Sequence, residues 1–284
     1  MHKLKKLKFL ALLSLMTPSA VSADPAKKND FTHEFMAGLE SYKYHYGEMK
    51  PNQSNFMQYN GVMFGVGGSY ELTYKGMVFL RPEARAAYGF TQYTSYRNPK
   101  FPKASIPNLT FEPRLLVGGN ISFSNNFNFS PYVGLGYRYK SDDASDVVCD
   151  KGIKLGGKRI SKYWYIPIGS RLNHDFNDSW FIKSMVEYDW LISGKQFSYS
   201  KEIYPSPLVL KQKNGWGVRG ELLVGHRLDK VSVACGPYIN YWKVGKSKSV
   251  NSYEKDEWGG ILTGPAWEPD NITKEIGVKL NFYF

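Results

Sequence analysis

The residues able to do chemistry in this 284-residue chain fall into two sets. The first is a series of charges spaced two apart: Arg81, Glu83 and Arg85; Glu112 and Arg114; Glu187 and Asp189, with Lys183 on the same parity; Arg219 and Glu221, with Arg227. Glu40, Glu71, Arg138, Arg171 and Lys279 interrupt apolar stretches in the same manner. A spacing of two puts side chains on one face of a strand, where opposite charges pair along and across strands. Such a face either ties an interior together as an ion-pair network or lines a narrow charged pore. The second set is His33, His45, His174 and His226 with the acids Asp142, Asp143, Asp146 and Asp150. An imidazole beside a carboxylate can activate water as a general base. Clustered loop acids equally make a solvated surface or a loose cation site. The acidic run lacks EF-hand spacing, no Cys/His cluster has zinc spacing, and the phosphate-loop signature is absent. No cofactor is expected.

The elements that would position these charges are strands. Alternation places them at 34–46, 61–74, 77–93, 108–124, 127–140, 161–176, 179–193, 215–228 and 231–245, with a closing strand at the end of the chain. Lys75-Gly76, Asn125-Asn126, Asn177-Asp178 and Asp229-Lys230 read as tight turns. The intervening connections are long: Gly47–Asn60, Ser95–Pro107, Ser141–Ile160, a stretch with Pro205 and Pro207, and Lys246–Asp270. Ten strands with short turns at one end and long loops at the other describe an all-β, antiparallel up-and-down transmembrane barrel. The charged parity then faces the lumen.

The closing strand is the most explicit. Ile276, Val278, Leu280, Phe282 and Phe284 alternate with Gly277, Lys279, Asn281 and Tyr283. In a soluble sheet so apolar an edge would be sticky; in a closed barrel it pairs on both sides and meets lipid. This ending resembles the closing strand of Gram-negative outer-membrane β-barrel proteins. The resemblance implies that Val278, Leu280, Phe282 and Phe284 form the signal read by the barrel assembly machinery.

Lys3, Lys5, Lys6 and Lys8 precede the apolar run Phe9–Met16 and a small-residue stretch, as in a secretory signal peptide cut after Ala23. Residues 24–284 then form one barrel domain, exported to the cell outer membrane. Removing those lysines lowers the formal net charge from +12 to +8. With no helical basic face, this charge suits lipopolysaccharide and surface glycans better than nucleic acid. Cys149 falls in a long loop and Cys235 toward the opposite end of a strand, so no bridge between them is expected.

Function on such a scaffold lies in its loops. They are aromatic and basic: Tyr96, Arg97, Lys100, Phe101 and Lys103; Lys195, Phe197, Tyr199, Lys201, Tyr204, Lys211 and Lys213; Tyr253, Trp258 and Trp267. The expectation is a monomeric structural or surface-interaction protein, adhesin-like through loops that meet a host or surface ligand, with outer-membrane lipid and lipopolysaccharide as partners. A small channel and a lipid-modifying or omptin-like hydrolase are the alternatives. In size and strand count the chain is similar to the omptins, surface proteases whose rim carries one Asp-Asp and one Asp-His dyad. Only His45 falls near the loop end, and the dyads are not found, so no catalytic residue is assigned.

Overall fold

A computed structural model describes residues 30–49, 55–96, 104–148, 157–199, 207–255 and 261–284. The signal-peptide reading lies outside these residues, as do Arg97, Lys100, Phe101, Lys103, Cys149, Asp150, Lys201, Tyr204 and Trp258. The described strands are β1 (Phe31–Met49), β2 (Asn55–Tyr74), β3 (Val78–Ser95), β4 (Ala104–Gly119), β5 (Ile121–Ser124), β6 (Phe127–Ala144), β7 (Gly157–Asp175), β8 (Trp180–Tyr199), β9 (Leu208–Gln212), β10 (Gly215–Arg227), β11 (Ser232–Val244), β12 (Val250–Lys255), β13 (Ile261–Ala266) and β14 (Asp270–Tyr283).

The path β10–β11–β14–β1–β2–β3–β4–β6–β7–β8 returns to β10 through the β8–β10 pairing, so the sheet closes. All these pairings are antiparallel. β4 and β5 are two lengths of one stave, broken at Asn120, and β9 and β10 are two lengths of another. The described residues therefore build ten staves of an up-and-down barrel. The chain end is part of the closure, since Phe284 and Phe35 exchange backbone hydrogen bonds of 2.9 and 3.2 Å.

Closure satisfies each stave on both sides, which is what lets backbone amides sit in hydrocarbon. The outer wall is apolar over a belt that includes Leu39, Phe64, Val66, Leu115, Val133, Ile168, Val186, Leu222, Ile276 and Val278, all exposed. Rings border the belt on both sides. Tyr70, Tyr74, Trp180 and Phe284 stand toward the short turns; Tyr88, Trp164, Trp190 and Trp216 stand toward the long loops.

The turns follow their residues. Lys75 (φ 51°) and Gly76 (φ 71°) both take the left-handed region, as the central pair of a type I′ turn closed by the Met77 amide on the Tyr74 carbonyl at 3.0 Å. Asn177 caps another turn by accepting the amides of Ser179 and Trp180 at 2.9 and 2.8 Å.

The staves run further toward the loops than alternation indicates. β2 and β8 have 20 residues each, about twice the 9–11 that cross a bilayer. Above the belt the outward residues become polar, so hydropathy no longer alternates although the pairing continues. Lys195, Phe197 and Tyr199 thus belong to β8 and not to a loop. Pro107, expected in a loop, lies in β4 opposite Phe90, one residue before β6 begins to pair at Asn108, an edge position that tolerates proline. The stretch Lys246–Asp270, expected as loop, holds the β12–β13 hairpin.

Inside, aromatic rings lie over glycines on the neighbouring stave. Tyr165 pairs with Gly136, Phe181 with Gly225, and Trp242 with Gly217. A Cβ on any of these glycines would run into the ring, so the missing side chain is the space the aromatic fills.

Candidate functional site

The lumen is organised in three tiers. At mid-height, eleven charges form one alternating chain: Arg171–Glu71–Arg81–Glu83–Arg114–Glu187–Arg219–Glu112–Arg85–Glu275–Arg138. Each carboxylate in it meets two guanidiniums. Glu112 takes Arg219 at 2.5 Å and Arg85 at 3.1 Å, with the Tyr165 hydroxyl donating at 2.8 Å. Glu187 takes Arg114 and, at 3.0 Å, Arg219, with the Tyr132 hydroxyl at 2.8 Å. Glu275 holds Arg138 at 2.5 Å and Arg85, and accepts from Asn240 at 2.9 Å. Asp189 adds a third acid to Arg219 at 2.7 Å, and Glu40 a further one to Arg85. The planar, five-donor guanidinium is the group that can bridge several carboxylates at once. The side chains of Glu112, Glu187, Asp189 and Glu275 are fully buried, so the pairing is obligatory rather than decorative.

Toward the short turns the lumen opens. A cavity of about 130 Å³ is bounded by Arg81, Arg171, Lys183, Lys279, Asn281 and Tyr283, among others. A second, of about 310 Å³, continues past Phe181 and Arg227. Glu221 is held here by Lys279 at 2.5 Å, and Lys183 meets Glu34 at 3.3 Å.

Toward the loops the lumen is filled. Tyr42, Tyr44, Tyr46, Met57, Tyr59, Met63, Ile106 and Tyr238 pack as one buried cluster. Lys140 lies over the rings of Tyr46 and Tyr44 at 4.3 and 5.3 Å. Above them, the Tyr46 hydroxyl lies 3.1 Å from both Glu48 and Glu268, and Arg159 reaches the same two carboxylates at 2.5 and 3.4 Å. Glu268 lies between β13 and β14. Its amide donates to Ser247 Oγ at 2.8 Å and its carbonyl accepts from the Ser247 amide at 3.0 Å, so the base of the β12–β13 hairpin is latched onto the barrel top. Burial, and then the charge of Glu48, push the Glu268 carboxyl up to about 8.

Of the charges expected in the lumen, Arg81, Glu83, Arg85, Glu112, Arg114, Glu187, Arg219 and Glu221 each have a partner in these tiers. Glu275 was not anticipated, although it shares the parity of Gly277 and Lys279. Arg159, Glu48 and Glu268 were likewise missed, because each lies where outward residues are polar. The acidic run does not share one surface. Asp142 is buried beside Lys140, while Asp143 faces outward and pairs with Lys158 at 2.7 Å. Among the described residues no group of His, Cys, Asp and Glu could hold a metal. His45 Nδ1 hydrogen-bonds Asn60 and His33 Nδ1 hydrogen-bonds Tyr70; His174 and His226 lie against Phe176 and Trp180. Cys235 is a free thiol on the outer wall of β11. Of the closing strand, Val278 and Phe284 are 54% and 62% exposed on the outer wall, with Leu280 and Phe282 between them.

No protein-family model matches this chain, and no curated protein matches it in sequence. Among solved structures, one is similar to it in fold and another more distantly. The outer membrane protease OmpT from Escherichia coli is 11% identical with a TM-score of 0.55, over 90% of this chain and 97% of that one. The outer membrane protein OprG from Pseudomonas aeruginosa is 10% identical with a TM-score of 0.39, over 89% and 95%. At such identities the likeness is one of fold, a closed ten-stranded antiparallel barrel similar to that of the outer membrane protease.

Proposed function

We propose that the protein is an exported outer-membrane barrel with a structural, surface-interaction role, its lumen shut and its long-loop end presented outside the cell. The observation that carries this reading is the mid-height chain of eleven alternating charges. An ion crossing the lumen would have to part guanidinium–carboxylate pairs whose Glu112, Glu187 and Glu275 side chains are fully buried, and then pass the tyrosine cluster above. The adhesin-like part rests on exposed aromatics at the loop end, Tyr253 and Trp267, the latter with Lys246 at 4.6 Å from its ring; amphipathic rings beside cations suit glycan or protein surfaces. The four histidines among the described residues take amide, phenol and aromatic partners, which supports a role without hydrolysis.

A narrow channel is the second reading, favoured by the cavities at the turn end. Single-channel recording of the refolded barrel distinguishes the two. The structural reading expects a flat trace for the wild type and unitary steps once Arg85 and Arg219 are both replaced by Ser. Reproducible steps from the wild type would overturn it.

A further inference from the structure

On the outer wall just above the aromatic border, β7, β8 and β9 carry three lysines in direct register. Lys162 is opposite Lys195, and Lys195 is opposite Lys211. All three are on the outward parity, two residues beyond Trp164 in the case of Lys162. Directly opposed side chains on adjacent strands stand about 5 Å apart at Cβ, and like charges there are destabilising. Beside Lys211 a groove of about 650 Å³ adds Lys213, Lys246 and Lys248. Among the described residues none of these six ammonium groups meets a carboxylate. Among the described residues, Asp270 accepts from the Lys246 amide and Asp143 from Lys158. At the same height on β2, β3 and β4 the outward residues are neutral: Gln58 and Asn60, Gln92 and Thr94, Ser105. Lys243 and Lys274 are further outward lysines on β11 and β14, but the directly opposed row of three belongs to β7, β8 and β9, at the level where lipid headgroups lie against the wall.

We propose that the β7–β8–β9 face and its groove seat the phosphate groups of an anionic lipid of the surrounding leaflet. The aliphatic stems of the lysines lie along the wall while the ammonium groups reach the phosphates. The lipid supplies the counter-charge that these lysines lack among the described residues. This rests on the outer-membrane reading above, and it adds one consequence that anchoring by rings alone does not have. Removing a lysine from the row relieves repulsion where no phosphate is present, and removes a ligand where phosphate is present. The sign of its effect on stability depends on the lipid.

The test uses the full barrel refolded into phosphatidylcholine nanodiscs, with a minor share of either diphosphorylated or dephosphorylated lipid A. The readout is the temperature at which the folded, heat-modifiable gel band is lost. Lys195→Gln is the main variant, Lys162→Gln/Lys195→Gln/Lys211→Gln the stronger one, and Gln92→Ala on the neutral side the control. Phosphorylated lipid is expected to raise the transition of the wild type, and inorganic pyrophosphate added to dephosphorylated discs is expected not to. Binding weakens about fivefold for each lysine removed. In dephosphorylated discs Lys195→Gln is expected to melt at or above the wild-type temperature, and in phosphorylated discs below it. The proposal is overturned if the Lys195 variant and the Gln92 control respond alike to phosphorylated lipid, or if pyrophosphate alone reproduces the shift. A wild-type chain that enters no bilayer would instead sink the outer-membrane reading.

Discussion

Two arrays of charge share the staves β7 and β8, one on each side of the wall, and they follow opposite rules. Inside, Arg219 meets Glu112, Glu187 and Asp189, and signs alternate along the whole chain. Outside, Lys162 and Lys195 are paired with each other. The interior array uses arginine, whose flat fork bridges carboxylates, and the exterior one uses lysine, a hydrated point charge on a flexible stem. The contrast follows from what surrounds each side. A charge enclosed in the lumen can be neutralised only by another residue of the same chain, so the fold has to supply it. A charge on the wall can be neutralised by whatever bathes the wall. The inner array is therefore a requirement of folding, and the outer one answers to the environment.

The largest effect is expected from breaking the inner rule. Arg219→Ala leaves Asp189 without its cation and Glu112 and Glu187 with one guanidinium each, Arg85 and Arg114, and removing one partner of a buried pair costs about 3–5 kcal/mol. The urea midpoint of the refolded barrel should fall accordingly, with Arg219→Lys intermediate because one ammonium cannot serve three carboxylates. An Arg219→Ala barrel as stable as the wild type would mean that the chain of pairs is incidental. Next comes the packing that holds the chain in place. Gly136→Ala pushes a methyl into the Tyr165 ring and so displaces the hydroxyl that donates to Glu112; overpacking of this kind costs about 1–3 kcal/mol. Gly264→Ala, where a Cβ meets nothing within 4 Å, is the matched substitution expected to leave the midpoint unchanged.

How far this was legible beforehand depended on the neighbours of each residue. Within the lipid belt an inward charge stands between two outward apolar residues, so Arg81, Glu83 and Arg85 between Leu80, Pro82, Ala84 and Ala86 announce their face. The turns were legible for a similar reason, since Lys75-Gly76 requires a backbone that few other pairs accept. Glu275 adjoins Lys274, an outward residue already above the belt, and the contrast that marks parity is gone. Asp142 shows the same failure in stronger form: it stands next to Asp143, one facing in and one facing out, and in sequence the two read as a single acidic patch. The cross-barrel partners were not legible at all. That Arg219 of β10 reaches Glu112 of β4 is set by the diameter of the ring and the shear of its staves, which no local pattern carries.

A smaller effect is expected at the top of the lumen, where the inner rule is incomplete. Glu48 and Glu268 share Arg159 and Tyr46, two acids on one cation. Burial first and Glu48 second raise the Glu268 carboxyl from its ordinary 4.5 to about 8. The folded state thus holds this proton more tightly than the unfolded chain. The associated stability is complete below about 4.5 and is lost as pH rises toward about 8. The urea midpoint of the wild type should decline across that window, and Glu268→Gln, neutral throughout, should decline less. Equal slopes would remove Glu268 from the account.

The smallest effect sharpens the comparison by applying the inner geometry to the outer wall. Asp143 and Lys158 make a 2.7 Å pair, as short as Arg171 with Glu71, yet their side chains are 34% and 38% exposed against 12% and 17%. If distance governed stability, Asp143→Asn and Glu71→Gln would cost the same. If enclosure governs it, water replaces the lost partner of Lys158, and Asp143→Asn should shift the midpoint by less than about 0.5 kcal/mol. Glu71→Gln leaves Arg171 and Arg81 facing each other across the lumen with only a neutral amide between them, and should cost several times more. Finding the two variants equal would mean that water reaches the inner chain as freely as the wall, and the barrel would then have to be read as an open pore.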